Sequence, residues 1–212
     1  MNATDKFGFI WWATAGCGSR STSLCFLELG VDDMYNYLEN FINGQGGSFT
    51  HTQGFPVGKE DWPVVCNIRN PYSLVVSGYL DILKDYTDEG THLEYKDYLL
   101  YHYFTEENLK HEDPFFFNVW KDFHKEPDYI IHMETMGEDL RKLPFFTDRK
   151  KVEEVIKEFV DNNRFKNGSP HDEYEGQFQK FKRFYNQELA DIVYDNMKEY
   201  FIKFGYDKDS WK

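Results

Sequence analysis

The chain has 212 residues, 19 % of them aromatic, and a net charge of −13. That length suits one domain with a substantial core, and the acidic balance argues against coating a nucleic-acid backbone or an anionic membrane, both of which need basic surface. Cys17, Cys25 and Cys66 are odd in number and widely spaced, which argues against a disulfide framework or a zinc knuckle and for reduced thiols.

The first apolar run, Phe9 to Trp12, lies in a predicted buried strand over 7–14. It enters a loop of small residues, "AGCGSRSTS", and a helix is predicted over 19–29, starting at a serine cap. A second helix is predicted over 31–44, and a short strand from Phe49 to Thr52 inside a Gly-rich loop. "WPVVCNI", 62–68, reads as a buried strand, and "RNPYSLVVSGYLDIL" opens a helix that Asn70 caps and Pro71 starts. Residues 92–126 read as helical and aromatic, with a break near Asp113 and Pro114. A further strand is predicted over 127–133, with a helix from Glu134 and an amphipathic helix over 148–163. A polar loop follows. The last helix is predicted from about Gln177 to Phe204, on one apolar stripe at three-and-four spacing, with Gly205 ending it. Strands alternating with helices predict an α/β fold with a central, mainly parallel sheet flanked by helices. No linker is visible, so residues 1–212 are read as a single domain.

The N-terminus lacks a basic n-region, and its apolar run is too short for a signal peptide or a membrane span. The expected location is therefore cytoplasmic, with no membrane span.

Two predicted strand ends carry anion chemistry, and in α/β sheets ligands bind beyond the carboxyl ends of the strands. The first is the loop 16–23. Gly16 and Gly18 permit close backbone approach, and Cys17 lies between them. The N–H groups of Gly18, Ser19, Arg20, Ser21 and Thr22 would meet an anion at a helix N-terminus. The motif G-x-x-x-x-G-K-[ST] is not met. The same residues also suit a tight turn that only caps a helix. The second strand end is Arg69, with Ser77 two helical turns further on. An Arg at a strand end can form a charge-assisted fork with phosphate; it can equally form an ion pair, with Ser77 in helix packing. Taken together, the two sites suggest a ligand with anionic groups at both ends.

On these residues the chain resembles the sulfotransferase family that uses 3′-phosphoadenosine-5′-phosphosulfate (PAPS). "CGSRSTS" looks like the family's loop for the 5′-phosphosulfate. "RNPYSLVVSGY" is similar to its 3′-phosphate segment. "YIIHMETMGEDL" and "FYNQELADIVYDNMKEYFIKFGY" resemble its later strand and its terminal helix. The resemblance runs through nearly the whole chain, in the family's order. It implies a three-layer, P-loop-like fold and transfer of a sulfuryl group from PAPS to a hydroxyl or amine, with no metal expected. The implied acceptor is a small molecule or glycan. Many members carry Lys or Arg where Gly16 stands, so Arg20 is expected to supply that charge. The resemblance also puts a histidine base between the two anion segments, and His51, followed by Pro56, holds that place. His132, at a predicted strand end, is the weaker alternative. Two other readings stay open: a non-catalytic PAPS-binding module and a nucleotide kinase, the latter lacking its loop lysine. A phosphatase-like thiol at Cys17 needs an Arg further away than Arg20. Tyr98, Tyr101 and Phe115 are candidates to line an acceptor pocket, although such aromatic stretches more often form core.

Overall fold

The computed structural model describes residues 2–14, 16–33, 58–88, 94–104, 125–161 and 181–212. Its elements in chain order are strand β1 (Asn2–Thr4), β2 (Phe9–Trp12), helix α1 (Ser19–Glu28), β3 (Val64–Ile68), α2 (Pro71–Asp88) and α3 (Tyr95–Asp97). Then come β4 (Tyr129–His132), α4 (Met136–Lys142), α5 (Arg149–Val155) and α6 (Gln187–Phe204). The predicted helix over 31–44, from residue 34 on, and the predicted strand Phe49–Thr52 lie outside the described residues.

The chain forms two compact units, Met1–Ile68 with Phe123–Glu173, and Arg69–Asp122 with Tyr174–Lys212. The first holds an open sheet in the order β1-β2-β3-β4. β2, β3 and β4 run parallel, with Trp12 opposite Cys66 and Ile68 opposite His132, and β1 pairs antiparallel at the edge. This is an α/β architecture, as the alternation of strand and helix predicts. All four residues of β2 and all five of β3 are buried, the burial that parallel strands covered on both faces require. On one face Phe9 and Trp11 meet Phe26 of α1 at ring distances of 5.5 and 5.3 Å, both edge-on. Val65, Ile131, Leu140 and Val155 complete that core.

The second unit packs α2 against α6. Asn70 caps α2 as expected: its Oδ1 accepts from the N–H groups of Tyr72 and Ser73, at 3.0 and 3.4 Å. The Tyr72 ring lies 5.1 Å from Phe201 and 4.9 Å from Tyr185. Burial of these phenols is compensated by hydrogen bonds. Tyr185 donates to the Tyr72 carbonyl at 2.9 Å, and Tyr95 donates to the Tyr185 oxygen at 2.6 Å.

The structure departs from the sequence reading at several points; the strands are shorter than read, and β1 was not read. α1 is capped by Gly18, in the left-handed conformation with φ 74°, and no side chain caps it; the expected serine cap is absent. The helix after β4 begins with a 3-10 turn, Met133–Thr135, before α4. The terminal helix begins at Gln187, not near Gln177; a separate 3-10 turn, Phe181–Phe184, precedes it, and Asn186 caps it by accepting from Leu189 N–H at 2.9 Å. Gly205, at φ 69°, ends it as expected. Among the described residues, no helix is long and apolar enough to cross a membrane.

Candidate functional site

Because β2 and β3 are parallel neighbours, the chain leaves the sheet at the same edge after each. After β2 it turns through Thr14, whose carbonyl accepts from Cys17 N–H at 3.2 Å, and enters α1 behind Gly18. The first intrahelical bond, from Thr22 N–H to the Gly18 carbonyl, is 3.0 Å. The amides of Ser19, Arg20 and Ser21 belong to the first turn, whose N–H groups have no acceptor within a helix. Such a turn, with glycine and no side-chain cap at its head, suits an anion. Gly18 is required twice over. Its φ is left-handed, and a methyl group there would collide with the Met133 sulfur and stand 3.3 Å from Met136 Cε.

Hydroxyls crowd this turn. Ser19 and Ser21 are largely buried, and Thr22 and Ser23 are fully buried. Ser23 donates to the Ser19 carbonyl at 2.7 Å. Thr22 Oγ1 accepts from Asn67 Nδ2 at 2.7 Å, and Asn67 Oδ1 accepts from Trp11 Nε1 at 2.7 Å. Asn67 thus ties β2, β3 and α1 together and fixes the helix start. Sequence reasoning passed over it; its signal was an amide in the middle of an otherwise apolar strand. Gly16 is exposed and Cys17 is fully buried. Only the backbone of Arg20 is described. All three cysteines are buried and none is in a disulfide, and burial pushes the Cys25 thiol up to about 12.

After β3 comes Arg69, 8 % exposed, whose Nε donates to Ser73 Oγ at 2.8 Å. Its backbone N–H meets the Tyr200 hydroxyl at 3.3 Å. Ser73, in the first turn of α2, orients the guanidinium; Ser77, expected to close on the same anion, is half-buried one turn further on. The four-residue spacing from Arg69 to Ser73 was the available sign.

At the end of β4 stands His132. Its ring Nδ1 lies 2.9 Å from Asp139 Oδ2, and its backbone N–H donates to the same oxygen at 3.0 Å. Thr135 Oγ1 donates there too, at 3.0 Å, and Lys142 Nζ donates to Asp139 Oδ1 at 2.7 Å. Burial alone would raise the Asp139 carboxyl, but the donors from His132, Lys142 and Thr135 outweigh it and hold it well below the usual carboxylate range. His132 is one-third exposed and Asp139 is buried.

His51 and Pro56 lie outside the described residues, as does Phe115. Tyr98 is fully buried, 5.2 Å from the Tyr103 ring and 5.3 Å from Tyr79, in core packing, whereas Tyr101 is exposed. Among the described residues, no group of His, Cys, Asp and Glu could hold a metal ion. No family model, curated protein or solved structure matches the chain.

Proposed function

We propose that this chain binds PAPS and transfers its sulfuryl group to a hydroxyl or amine of an acceptor, a small molecule or a glycan, on a three-layer P-loop-like fold. Arg69 carries the reading: a largely buried guanidinium at a strand end, oriented by Ser73. Such a group, with Ser77 on the same helix, suits a 3′-phosphate. The turn behind Gly18 suits the 5′ anion, and its amides and hydroxyls fit that group's oxygens.

PAPS supplies the sulfuryl group, which leaves phosphate oxygen and bonds to the acceptor oxygen or nitrogen. The chain supplies position and charge, the terms that should dominate such a transfer as they do phosphoryl transfer. Residues Gly16, Cys17, Gly18, Ser19, Ser21 and Thr22 form the cradle for the 5′ end, and Arg20 adds positive charge there. His51 takes the acceptor's proton, a role it holds by its order along the chain.

The non-catalytic alternative, a module that binds the nucleotide without transfer, is separated by an acceptor screen with labelled PAPS. The kinase reading predicts ATP binding. The thiol reading meets a fully buried Cys17, out of reach of a substrate.

The test is nucleotide discrimination. The product nucleotide, 3′-phosphoadenosine-5′-phosphate (PAP), should bind more tightly than AMP by roughly tenfold to a hundredfold, the size of a charge-assisted contact. Arg69→Ala should abolish the difference while the fold survives in circular dichroism. Equal affinities for PAP and AMP in calorimetry would sink the assignment.

A further inference from the structure

A phosphate at the head of a helix is commonly met by the amides of the first turn. In α2 those amides are occupied. Pro71 has no N–H, Asn70 Oδ1 accepts from Tyr72 and Ser73, and the Asn70 carbonyl accepts from Leu74 N–H at 2.9 Å. A 3′-phosphate beside Arg69 is therefore recognised by side chains, and the direction of one guanidinium decides how well.

Two contacts set that direction, one at each end of the residue. At the side chain, Nε donates to Ser73 Oγ at 2.8 Å. At the backbone stands Tyr200 of α6. β3 ends at Ile68 and α2 begins at Pro71, so the peptide groups of Arg69 belong to neither element. One hydroxyl serves both: Tyr200 Oη accepts from Arg69 N–H and donates to the Arg69 carbonyl, each at 3.3 Å. A phenol can do this because its oxygen is donor and acceptor at once. Arg69 is 8 % exposed and Tyr200 5 %, and backbone groups so buried need partners. The contact joins residues 131 apart in the chain, within one compact unit.

We propose that Tyr200 is a positioning residue of the 3′-phosphate site: its hydroxyl fixes the backbone from which the Arg69 guanidinium is aimed, and thereby the preference for a nucleotide that carries a 3′-phosphate. Tyr200 acts through Arg69. A small rotation of the Arg69 backbone is multiplied along a long side chain, and a forked contact with phosphate depends on its direction. The Tyr200 ring has a separate task. Its centroid lies 4.6 Å from that of Phe204 and 6.1 Å from that of Tyr206. Tyr200→Phe keeps this packing and removes only the hydroxyl.

This role rests on the proposed nucleotide reading, and PAP and AMP are the probes. Calorimetry on wild type, Tyr200→Phe, Arg69→Ala and the double variant gives four pairs of affinities, with circular dichroism to check each fold. In Tyr200→Phe the preference for PAP over AMP should shrink by roughly twofold to tenfold, the span of one ordinary hydrogen bond. AMP affinity should stay at the wild-type value, because AMP has no 3′-phosphate for Arg69 to meet. In the Arg69→Ala background, Tyr200→Phe should change neither affinity, the non-additivity expected of a residue that acts through another. An undiminished preference in Tyr200→Phe overturns the role and leaves the nucleotide reading standing. So does an equal loss of PAP and AMP affinity, which would make the hydroxyl a support of the fold alone. A loss of PAP affinity that persists in full in the Arg69→Ala background also overturns it, because the hydroxyl would then act by another route. Equal affinities for PAP and AMP in the wild type overturn both the role and the reading.

Discussion

Gly18 shows how much one residue settles. With φ at 74°, any side chain costs about 1–2 kcal/mol in backbone strain. The collision with Met133 adds less, because a thioether has rotatable bonds and can swing away. Gly18→Ala should therefore lower the unfolding free energy by about 1–2 kcal/mol, and Met133→Ala in the same chain should recover little of that loss. Full recovery in a double-mutant cycle would show that packing, and not the backbone, demands glycine. Catalytic roles separate at the same scale. His51→Ala should reduce turnover by about 10²–10⁴-fold and spare PAP affinity. At saturating donor the wild-type rate should rise with pH through the titration of an imidazole, because a base works only when deprotonated. Arg20→Ala should weaken both binding and transfer. Wild-type turnover in His51→Ala with the true acceptor would make that histidine structural.

Elements were legible where the signal is local. "NP" after an apolar run placed the start of α2, because an Asn oxygen reaches two orphan amides and proline fits the first turn. Gly205 marked the end of α6 for the same kind of reason, a left-handed residue at φ 69°. The start of α6 was hidden. Apolar periodicity runs on through Phe181 and Tyr185, yet the chain breaks there, where the Tyr185 hydroxyl is drawn to the Tyr72 carbonyl and to Tyr95. That attraction spans 113 residues, and no pattern along the chain reports it. The same holds at the candidate site. The loop glycines and Arg69 could be read from spacing, but the bridge through Asn67 and the pairing of His132 with Asp139 depend on neighbours that only folding supplies. Asn186→Ala tests the cap that replaced the expected continuous helix. It should cost about 1 kcal/mol, and an unchanged urea midpoint would show that α6 does not depend on this cap.

For the molecule as a whole, a net charge of −13 sets carboxylates against one another at neutral pH, and protonating them relieves that repulsion. Asp139 opposes the trend. Its carboxyl titrates below the ordinary value when folded, so the unfolded chain takes up the proton first. Its contribution is fully present above the unfolded value of about 4 and is lost progressively as pH falls from there through the folded value. Asp139→Asn removes the charge while leaving an amide of similar size among His132, Thr135 and Lys142. At pH 7 the variant should be less stable by about 1.5–3 kcal/mol, the range for a hydrogen bond to a charged group. The gap to wild type should narrow as pH is lowered below about 4, because the wild-type carboxylate is then being neutralised too. Urea unfolding at pH 7 and at pH values below 4 measures the gap directly. A gap that stays constant across that range would mean that Asp139 stabilises the fold through shape and neutral hydrogen bonds, and that its charge is not what holds His132 in place.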